Sequence, residues 1–315
     1  MASSIDVVIP TRDRWELTER CLRHLRRQTV PHSVTVVDNG SSDGTPDKVH
    51  SVAPEARVIA LGTSLGFAGA CNRGAAAGDG ENIVLLNNDV EARPDFLERL
   101  VRPLADDARV GSAAALLVQP GEVTIDSMGI TVDRTLSGFP RLRRRPVSDA
   151  ASPTPVLAGP TGGAGAYRRK AWEQVGGLDE GVFFYGEDVD LALRLRAAGW
   201  HAVAVPDAVA VHLGSATASH RSAWQRYQGG FARGYFLRRY RVLRSAAAVR
   251  ALVTESIVVA GDAYLSRDLS ALRGRVAGWR AAAGLHPAIW PPRDAIDTTI
   301  SFRDSLELRR VVYAS

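Results

Sequence analysis

The alternation of short apolar strands with helical segments through the first 90 residues most constrains the fold of this chain. Strands are predicted at "IDVVIP", "SVTVVD", "ARVIAL" and "NIVLLN", and helices at "WELTERCLRHLRRQ", "PDKVHSVA" and after the glycine-rich "GTSLGFAGACNRGAAAG". Strands that alternate with helices form a parallel sheet with helices on both faces. The sequence therefore predicts an α/β fold with a mostly parallel central sheet.

The composition is typical of a soluble globular protein with a sizeable core. The chain has 315 residues, of which 45% are hydrophobic and 23% charged. We expect no signal peptide and no transmembrane helix, because the N-terminus lacks a basic region and no apolar run approaches about 18 residues. Cys21 and Cys71 are predicted to be reduced core residues, which favours a cytoplasmic location. The net charge of +5 is compatible with phosphate-bearing ligands, an anionic membrane or nucleic acid.

The second half of the chain is less regular. Residues 137–166 are rich in Pro, Gly, Ser and Arg, which is typical of a flexible loop over a binding site or a disordered connection. "GEDVDLALRLRAAGW" predicts a helix with acids at its start and arginines near its end, as the helix dipole favours. Strands follow at "HAVAVP" and "AVAVH", and then arginine-rich helices. We predict one domain of residues 1–217 and a basic helical extension of residues 218–315.

Polar side chains stand where the predicted strands end. Asp38 ends the second strand, and Asn87, Asn88 and Asp89 follow the fourth. In such sheets, ligands collect at the carboxyl ends of the strands. Asp89 is either part of a turn that caps the next helix or a ligand of a divalent cation such as Mg²⁺ or Mn²⁺, which prefers oxygen ligands and substrate phosphates. Asp38 either caps a turn or hydrogen-bonds a nucleotide.

The glycine-rich segment offers Gly66 and Asn72 to a ligand. Closely spaced glycines allow the backbone to approach a bound molecule, although a generic glycine-rich loop explains the pattern equally well. The first turn between strand and helix lacks the G-x-G-x-x-G of dinucleotide-binding folds. The segment alone therefore does not identify a ligand.

Glu187 and Asp188 begin a predicted helix, and His212 follows a predicted strand. Acids at a helix N-terminus are common stabilisers. An aspartate there that faces a cleft can instead act as a general base towards an alcohol. A lone histidine is more often structural than a ligand, but with Asp89 as its partner His212 is a plausible second metal ligand.

Taken together and in this order, the segments resemble a family 2 glycosyltransferase of GT-A fold, in the bacterial cell-envelope branch described as rhamnosyltransferase-like. The matching motifs are "VVIPTRDR", "VTVVDNGSSDGT", "SLGFAGACNRG", "VLLNNDVEARPDFLERL", "GGAGAYRRKAWEQVGGLDEGVFFYGEDVDLALRLRAAGW" and "VAVPDAVAVHLGSAT". They cover about residues 5–217, and six motifs in the same order are a specific signature. The C-terminal helices resemble this branch only in being basic and aromatic.

The resemblance implies a role for each matching residue. The nucleotide pocket would be lined by Pro10, Thr11, Arg12, Asp38, Gly66, Asn72, Asn87 and Asn88, with Asp38 on the base. Asp89 would bind the metal and the diphosphate, and His212 would complete a site for Mg²⁺ or Mn²⁺. Asp188 would be the catalytic base. The sugar and acceptor pocket would be shaped by Trp172, Gly177, Asp179 and Glu187.

Two positions depart from the family pattern. Asn87 replaces the first acid of the D-x-D motif, and Asn39 replaces the second aspartate of the commoner "VDDGS". The loss of one carboxylate lowers the negative charge of the metal site. Tight metal binding without the donor is therefore not expected, whereas Asp89 and Asp188 are retained.

The resemblance implies an inverting transfer of a sugar from a nucleotide-diphospho-sugar to an acceptor hydroxyl. The branch suggests dTDP-rhamnose, with UDP- and GDP-sugars open, and the acceptor is a lipid-linked glycan, a polysaccharide or a small molecule. The alternatives are a non-catalytic nucleotide-sugar-binding or scaffolding protein, a sugar-1-phosphate nucleotidyltransferase and a dinucleotide oxidoreductase. A nucleotidyltransferase needs a glycine-rich loop after its first strand, and "IPTRDR" has no glycine. A dinucleotide oxidoreductase needs the G-x-G-x-x-G fingerprint, which is missing after the first strand. No motif supports nucleic-acid binding.

The segment "RGYFLRRYRVLR" interleaves arginines with Phe236, Tyr240 and Leu243. Basic residues among aromatic ones are typical of a helix that lies on an anionic membrane, here the inner face, or that binds a lipid-diphosphate acceptor. A helical face packed on the core or on a second subunit of a homodimer explains the same pattern. These alternatives stay open at the level of sequence.

Overall fold

The computed structural model describes residues 4–214 and 222–313. Its first four strands and the helices between them are β1 (Ile5–Thr11), α1 (Trp15–Leu25), β2 (Ser33–Asp38), α2 (Thr45–Val52), β3 (Arg57–Ala60), α3 (Gly66–Ala76) and β4 (Asn82–Leu86). The strands lie in the order β3-β2-β1-β4, and each neighbouring pair is parallel. This half of the sheet has the predicted alternation.

The second half of the sheet is mixed. Its elements are β5 (Val90–Ala92), α4 (Phe96–Asp106), β6 (Val110–Val118), β7 (Ile125–Ser127), β10 (Ala164–Arg168), α5 (Arg169–Val175), α6 (Glu187–Ala197) and β11 (His201–His212). β10 is antiparallel to both β4 and β6, and β11 is parallel to β6 and antiparallel to β5. A separate hairpin pairs β8 (Ile130–Val132) with β9 (Gly138–Pro140). The predicted α/β class with a mostly parallel sheet is confirmed.

Two sequence-based expectations about this half were wrong. Residues 137–166 are not a loose connection, because they contain β9 and most of β10, which is an inner strand of the main sheet. The segments "HAVAVP" and "AVAVH" are not two strands but one, β11, with a shift of register against β6 between Val205 and Val209. Pro206 interrupts the hydrogen bonding there, so the sequence pattern breaks although the strand continues.

Both faces of the sheet are covered, which explains the uninterrupted apolar runs in its strands. Successive strand residues point to opposite faces, so Val7 and Ile9 pack with α1 and α4 whereas Val8 packs with α3. Cys21 and Cys71 are buried and free, one on each face. Helices therefore cover the faces and leave the carboxyl edge of the strands for a site.

The C-terminal region consists of α7 (Ala223–Arg239), α8 (Ala248–Ser266), α9 (Ser270–Ala281) and α10 (Phe302–Tyr313). α7 and α9 approach so closely that a β-carbon at Gly230, Gly234, Gly274 or Gly278 would overlap the backbone of the other helix. α7 also shares a hydrophobic cluster with Val189 and Leu193 of α6. The predicted boundary at residues 217 and 218, and the end of the last matching motif, lie outside the described residues.

Of the interpretations that the sequence left open for Phe236 and Tyr240, burial supports packing on the core. Phe236 is 4% exposed and Tyr240 2% exposed, and both belong to the cluster shared with α6, with Leu243 packed against it. The Tyr240 hydroxyl donates to Asp190 Oδ1 of α6 at 2.7 Å. The alternation of arginine and aromatic residues therefore reflects a helix packed on the core, which was the alternative explanation.

A buried ion cluster holds the four C-terminal helices together. Glu255 of α8 accepts from Arg233 of α7 at 2.6 Å, from Arg275 of α9 at 2.8 Å and from Arg309 of α10 at 3.0 Å. Burial alone would raise the pKa of the Glu255 carboxyl, but the three guanidinium groups outweigh it and hold that pKa well below its usual range. Removal of one partner would leave buried charge uncompensated, so the cluster is a strong structural constraint.

Candidate active site

The ends of two strands bring Asp89 and His212 together. β5 and β11 are antiparallel, with His212 opposite Val90, so the residue before β5 meets the last residue of β11. His212 Nε2 lies 3.2 Å from Asp89 Oδ1, and the Leu213 backbone N–H donates to the Asp89 carbonyl at 3.0 Å. The two residues that the sequence singled out as metal ligands are therefore neighbours, although they are far apart along the chain.

A second carboxylate, which the sequence analysis missed, lies behind the imidazole. Asp126 Oδ2, in β7, is 2.8 Å from His212 Nδ1, and Arg143 lies 3.7 Å from the other Asp126 oxygen. Burial lowers the pKa of His212, but the carboxylates of Asp126 and Asp89 outweigh it and raise that pKa to about 10. An aspartate within a three-residue strand carries no sequence signal, so only the fold identifies Asp126.

The residues at this edge fit a divalent cation that is held partly by substrate. Oδ1 of Asp89 is buried and makes no hydrogen bond with a described residue, and Nε2 of His212 faces it. No group of three or more His, Cys, Asp or Glu side chains in residues 4–214 and 222–313 converges as a complete metal site. One carboxylate and one imidazole suit Mg²⁺ or Mn²⁺ when phosphate oxygens and water supply the other ligands.

Asp188 and Glu187 stand at the N-terminus of α6, and the pKa of each carboxyl is raised. Asp188 accepts the backbone N–H groups of Gly162 at 2.9 Å and Val189 at 2.8 Å. Burial raises the pKa of Asp188, although these two hydrogen bonds oppose that shift. Burial and then the charge of Asp188 raise the pKa of Glu187 to about 8, and Glu187 Oε2 has no hydrogen-bond partner among the described residues. A pKa of about 8 favours the protonated form of Glu187 at neutral pH, and the two backbone donors favour the ionised form of Asp188.

A two-residue turn connects the end of β4 to Asp188. Gly162 donates its N–H to Asp188, and the carbonyl of the next residue, Gly163, accepts the N–H of Asn87 at 2.9 Å. The antiparallel pairing of Ala164 with Leu86 fixes this turn beside the end of β4. A β-carbon on Gly162 would lie 3.2 Å from the ring of Phe67, so the turn is also closely packed. Asp188 and the Asn87–Asp89 segment therefore belong to one site.

Asn39 explains one departure from the family pattern. Its side-chain N–H₂ donates to the Gly66 carbonyl at 2.9 Å, and its oxygen accepts the Leu65 N–H at 2.8 Å. An aspartate could accept but, when ionised, could not donate to Gly66. Gly66 has φ +73°, and a β-carbon there would overlap the Phe183 carbonyl oxygen. The amide thus connects the loop after β2 to the glycine-rich segment.

Asp38, Arg12 and Asn87 each have a polar side-chain group without a hydrogen-bond or ion-pair partner among the described residues. Asp38 is 3% exposed; its Oδ2 accepts the Ser41 N–H at 3.2 Å, whereas its Oδ1 has no partner. Arg12 is exposed and forms no ion pair with a described residue, and the Asn87 side chain makes no hydrogen bond within the same set. These positions at the ends of β1, β2 and β4 are suited to a polar ligand.

Two other residues predicted to contact the nucleotide, Asn88 and Asn72, make structural contacts. Asn88 Nδ2 donates to Thr11 Oγ1 and to Thr18 Oγ1, each at 3.1 Å. Asn72 Nδ2 donates to the Leu178 carbonyl at 2.9 Å, and Asn72 Oδ1 accepts the Leu178 N–H at 3.0 Å. These two side chains hold the loops of the site in position. Pro10, also predicted to line the nucleotide pocket, is a half-buried residue of β1.

Trp172, which the resemblance assigns to the shape of the sugar and acceptor pocket, is a buried residue beneath the site. Trp172 is 6% exposed and packs edge-on against Tyr167, with ring centroids 5.4 Å apart. It also supports Gly177, whose φ is +69° and where a β-carbon would lie 2.7 Å from Asn72 Oδ1. Asp179 accepts the Tyr235 hydroxyl of α7 at 2.7 Å. These residues therefore shape the site through the segment that leads to Asp188.

Aromatic side chains are exposed between this segment and α7. Phe183 is 37% exposed, Tyr185 39% and Trp224 48%. The ring of Phe184 lies between its neighbours, 4.7 Å from Tyr185 and 5.4 Å from Trp224 by centroids. The Phe183 carbonyl accepts the Phe67 N–H at 3.2 Å, which ties this group to the turn at Gly162. We call Phe183, Phe184, Tyr185 and Trp224 the aromatic rim.

Residues 6–176 match the family model described as glycosyl transferase family 2. An N-acetylglucosaminyl-diphospho-decaprenol L-rhamnosyltransferase of Mycobacterium tuberculosis is 33% identical over 254 residues, which are 71% of this chain and 82% of the relative. An O-antigen biosynthesis protein of Myxococcus xanthus is 30% identical over 224 residues, which are 68% of this chain and 17% of that protein. The rhamnosyltransferase-like resemblance is confirmed.

Solved structures agree on the fold. A mannosyltransferase from Pyrobaculum calidifontis in complex with GDP-Man and Mn²⁺ aligns with a TM-score of 0.52 at 22% identity, over 89% of this chain and 85% of that chain. A structure of GalNAc-T7 with UDP, GalNAc and Mn²⁺ aligns with a TM-score of 0.57 at 15% identity, over 75% of this chain and 50% of that chain. At these identities the likeness concerns the fold.

Proposed function

This chain belongs to glycosyl transferase family 2 and has the GT-A fold, and we propose that it transfers a sugar, with inversion, from a nucleotide-diphospho-sugar to an acceptor hydroxyl. One observation carries the proposal. The turn at Gly162 and Gly163 hydrogen-bonds Asp188 with one residue and Asn87 with the next. This turn connects the proposed base to the proposed diphosphate-binding segment, which supports a reaction between the two.

The donor lies along the carboxyl edge of β1, β2 and β4. Asp38, with its unpaired buried oxygen, accepts hydrogen bonds from the nucleoside, and Arg12 and the Asn87 amide face the diphosphate. Asp89 and His212 would hold Mg²⁺ or Mn²⁺, with the donor supplying further oxygen ligands. When bound, the cation stabilises the negative charge that develops on the nucleoside diphosphate leaving group.

Asp188 removes the proton from the acceptor hydroxyl as the oxygen attacks the anomeric carbon. The bond from that carbon to the diphosphate breaks on the opposite side, so a single displacement inverts the configuration. An ionised aspartate is a sufficient base, because the hydroxyl becomes acidic only as it attacks. Protonated Glu187 keeps a second negative charge away from Asp188. The backbone donors Gly162 and Val189 fix the carboxylate geometry.

The acceptor approaches past the aromatic rim. Exposed rings beside a catalytic base can stack against the apolar face of a sugar. The rhamnosyltransferase of M. tuberculosis is named for an N-acetylglucosaminyl-diphospho-decaprenol acceptor. By analogy, we propose dTDP-rhamnose as donor and a sugar on a lipid diphosphate as acceptor, with the enzyme at the cytoplasmic face of the membrane. No helix within the described ranges combines the length and apolar character needed to cross a bilayer.

A thermal-shift panel tests the donor part of the proposal. dTDP-rhamnose, UDP-sugars and GDP-sugars are added with and without Mn²⁺, because a ligand that binds the folded state raises the melting temperature. We expect one nucleotide class to stabilise the protein and Mn²⁺ to enhance its effect. Transfer to a lipid-diphosphate-linked GlcNAc should be suppressed by EDTA and restored by Mg²⁺ or Mn²⁺. No shift with any nucleotide-sugar, or transfer insensitive to EDTA, would contradict the proposal.

A further inference from the structure

The outer side of α8 is an exposed apolar surface without charge. Its outward residues run over about five turns and are Val249, Leu252, Val253, Ser256, Ile257, Ala260, Gly261, Tyr264 and Leu265. Val249 is 74% exposed, Ile257 46%, Tyr264 84% and Leu265 82%. Single exposed apolar residues are ordinary, but a continuous stripe of this length marks a contact surface.

The next helix also exposes apolar residues, together with cations. α9 begins shortly after α8 and packs against it, with the Arg275–Glu255 ion pair between their inner sides. Its outer side carries Leu272, Val276 and Trp279 beside Arg273 and Arg280. Neither Arg273 nor Arg280 forms an ion pair with another residue of the described ranges. We call the outer sides of α8 and α9 the basic apolar face.

A cleft of about 430 Å³ continues the cationic character between the end of α7 and α9. It is lined by Arg238, Arg241 and Arg244 together with Leu243 and Trp279, among others. Arg241 and Arg244 are exposed, and the Arg238 guanidinium lies 5.4 Å from the centroid of the Trp279 ring. Arginines beside apolar and aromatic groups suit a phosphate at a boundary between lipid and water.

We propose that the basic apolar face docks on the surface of an anionic phospholipid membrane. The apolar stripe would enter the boundary between headgroups and acyl chains, and Arg244, Arg273 and Arg280 would contact the phosphates. A second copy of this chain fits less well, because a symmetric pair would bring two arginine-bearing faces together. Charge complementarity therefore selects the membrane.

The position of the face matters for the proposed reaction. The ion cluster around Glu255 ties α8 and α9 to α7, and α7 contacts the catalytic region through Tyr235–Asp179 and Tyr240–Asp190. Docking would therefore hold the active site at a defined position relative to the lipid surface. This consequence rests on the proposed lipid-linked acceptor, whereas the docking itself does not.

The test is cosedimentation of the full chain with vesicles, without any sugar substrate. The probes are phosphatidylcholine vesicles with and without phosphatidylglycerol. We expect binding only with phosphatidylglycerol, weakened by added NaCl. The double variant Leu252→Glu/Ile257→Glu should lose binding, and Arg273→Gln/Arg280→Gln should weaken it roughly thirtyfold. Val123→Glu and Arg102→Gln, at exposed positions of the other part of the chain, are the matched controls and should bind as wild type.

Several results of this experiment would contradict the proposal. Equal binding to both kinds of vesicle would show that the arginines do not recognise anionic lipid. Unchanged binding of both double variants would show that the basic apolar face is not the docking surface. A dimer that Leu252→Glu/Ile257→Glu dissociates, without vesicle binding by wild type, would make the face a contact between copies. If circular dichroism shows that Leu252→Glu/Ile257→Glu does not fold, the variant Arg273→Gln/Arg280→Gln provides the test instead. Sugar transfer to a soluble acceptor without vesicle binding would overturn only the docking.

Discussion

His212 Nε2 lies 3.2 Å from Asp89 Oδ1, and this contact joins the last residue of β11 to the turn after β4. The other imidazole nitrogen is held by Asp126. A histidine whose second nitrogen binds a carboxylate is the usual arrangement of a metal-binding imidazole, since the carboxylate fixes the ring orientation and raises its basicity. In the proposed metal site, Asp126 is therefore a positioning residue that acts through His212.

Replacement of Asp126 tests that role. Asp126→Leu should raise the Mn²⁺ concentration required for half-maximal transfer by about 10–100-fold, because His212 loses its orientation. Asp126→Asn retains an acceptor for Nδ1–H and should show a smaller rise. Direct Mn²⁺ titration in the presence of donor gives a readout independent of turnover. Equal Mn²⁺ requirements for both variants and wild type would contradict the role.

Glu187 should make stability depend on pH. Its pKa is raised from an ordinary 4.5 to about 8, so the folded state keeps a proton that the unfolded state releases. This contribution to stability is full below about pH 4.5 and is lost progressively as the pH rises to about 8. Glu187→Gln cannot ionise, so its stability advantage over wild type should grow from near zero at about pH 4 to on the order of 4 kcal/mol at about pH 8.

Denaturant unfolding at several pH values measures the effect, with exposed Glu55→Gln as the control. Parallel pH profiles for Glu187→Gln and wild type would show that Glu187 is ionised in the folded state. Since Glu187 is protonated at neutral pH in our account, the glutamine variant should also retain transfer activity at about pH 7.

Asn39→Asp should destabilise the protein at neutral pH by about 1–3 kcal/mol, because an ionised oxygen would face the Gly66 carbonyl in place of a donor. A protonated aspartic acid can donate again, so the loss should shrink towards about pH 4. Asn39→Ala removes both hydrogen bonds and serves as the control, since its loss should be independent of pH. A pH-independent loss for Asn39→Asp would contradict the assigned contact.

Trp224→Ala should raise the KM for the acceptor by roughly threefold to tenfold and leave the nucleotide-sugar affinity unchanged, because only the aromatic rim loses a ring. Trp290→Ala is the matched control. Trp290 is 37% exposed and lies near the other end of α7, where Ala288 bonds the Arg239 carbonyl. An equal effect of both variants, or weaker donor binding in Trp224→Ala, would exclude the rim as an acceptor surface.

The sequence alone was sufficient for the first half of the sheet, because buried parallel strands and amphipathic helices differ in periodicity. The position of β10 was not predictable in this way. It pairs antiparallel with β4 and β6, which are far from it in the sequence. The segment before it is rich in glycine and proline, a composition that predicts a loop. The contact between Gly162 and Asp188 depends on that pairing.

The residues of the candidate site likewise fall into two groups, those that sequence motifs indicate and those that only the fold identifies. Motif order was enough to select Asp89, Asp188 and His212, which the fold brings to one edge. Asp126 has no motif around it and is recognisable only from its contact with His212. The side chains of Asn72 and Trp172 make packing and loop contacts, which a linear pattern does not distinguish from ligand contacts.

The most direct test of the central claim is the transfer rate of Asp188→Asn, measured beside its nucleotide-sugar affinity. Asparagine keeps the size of the side chain and an acceptor for the Gly162 N–H, but it cannot take a proton from the acceptor hydroxyl. We predict that transfer falls by about 10²–10⁴-fold or more while donor binding and the melting temperature stay near those of wild type. Near wild-type turnover by Asp188→Asn would contradict its role as the catalytic base.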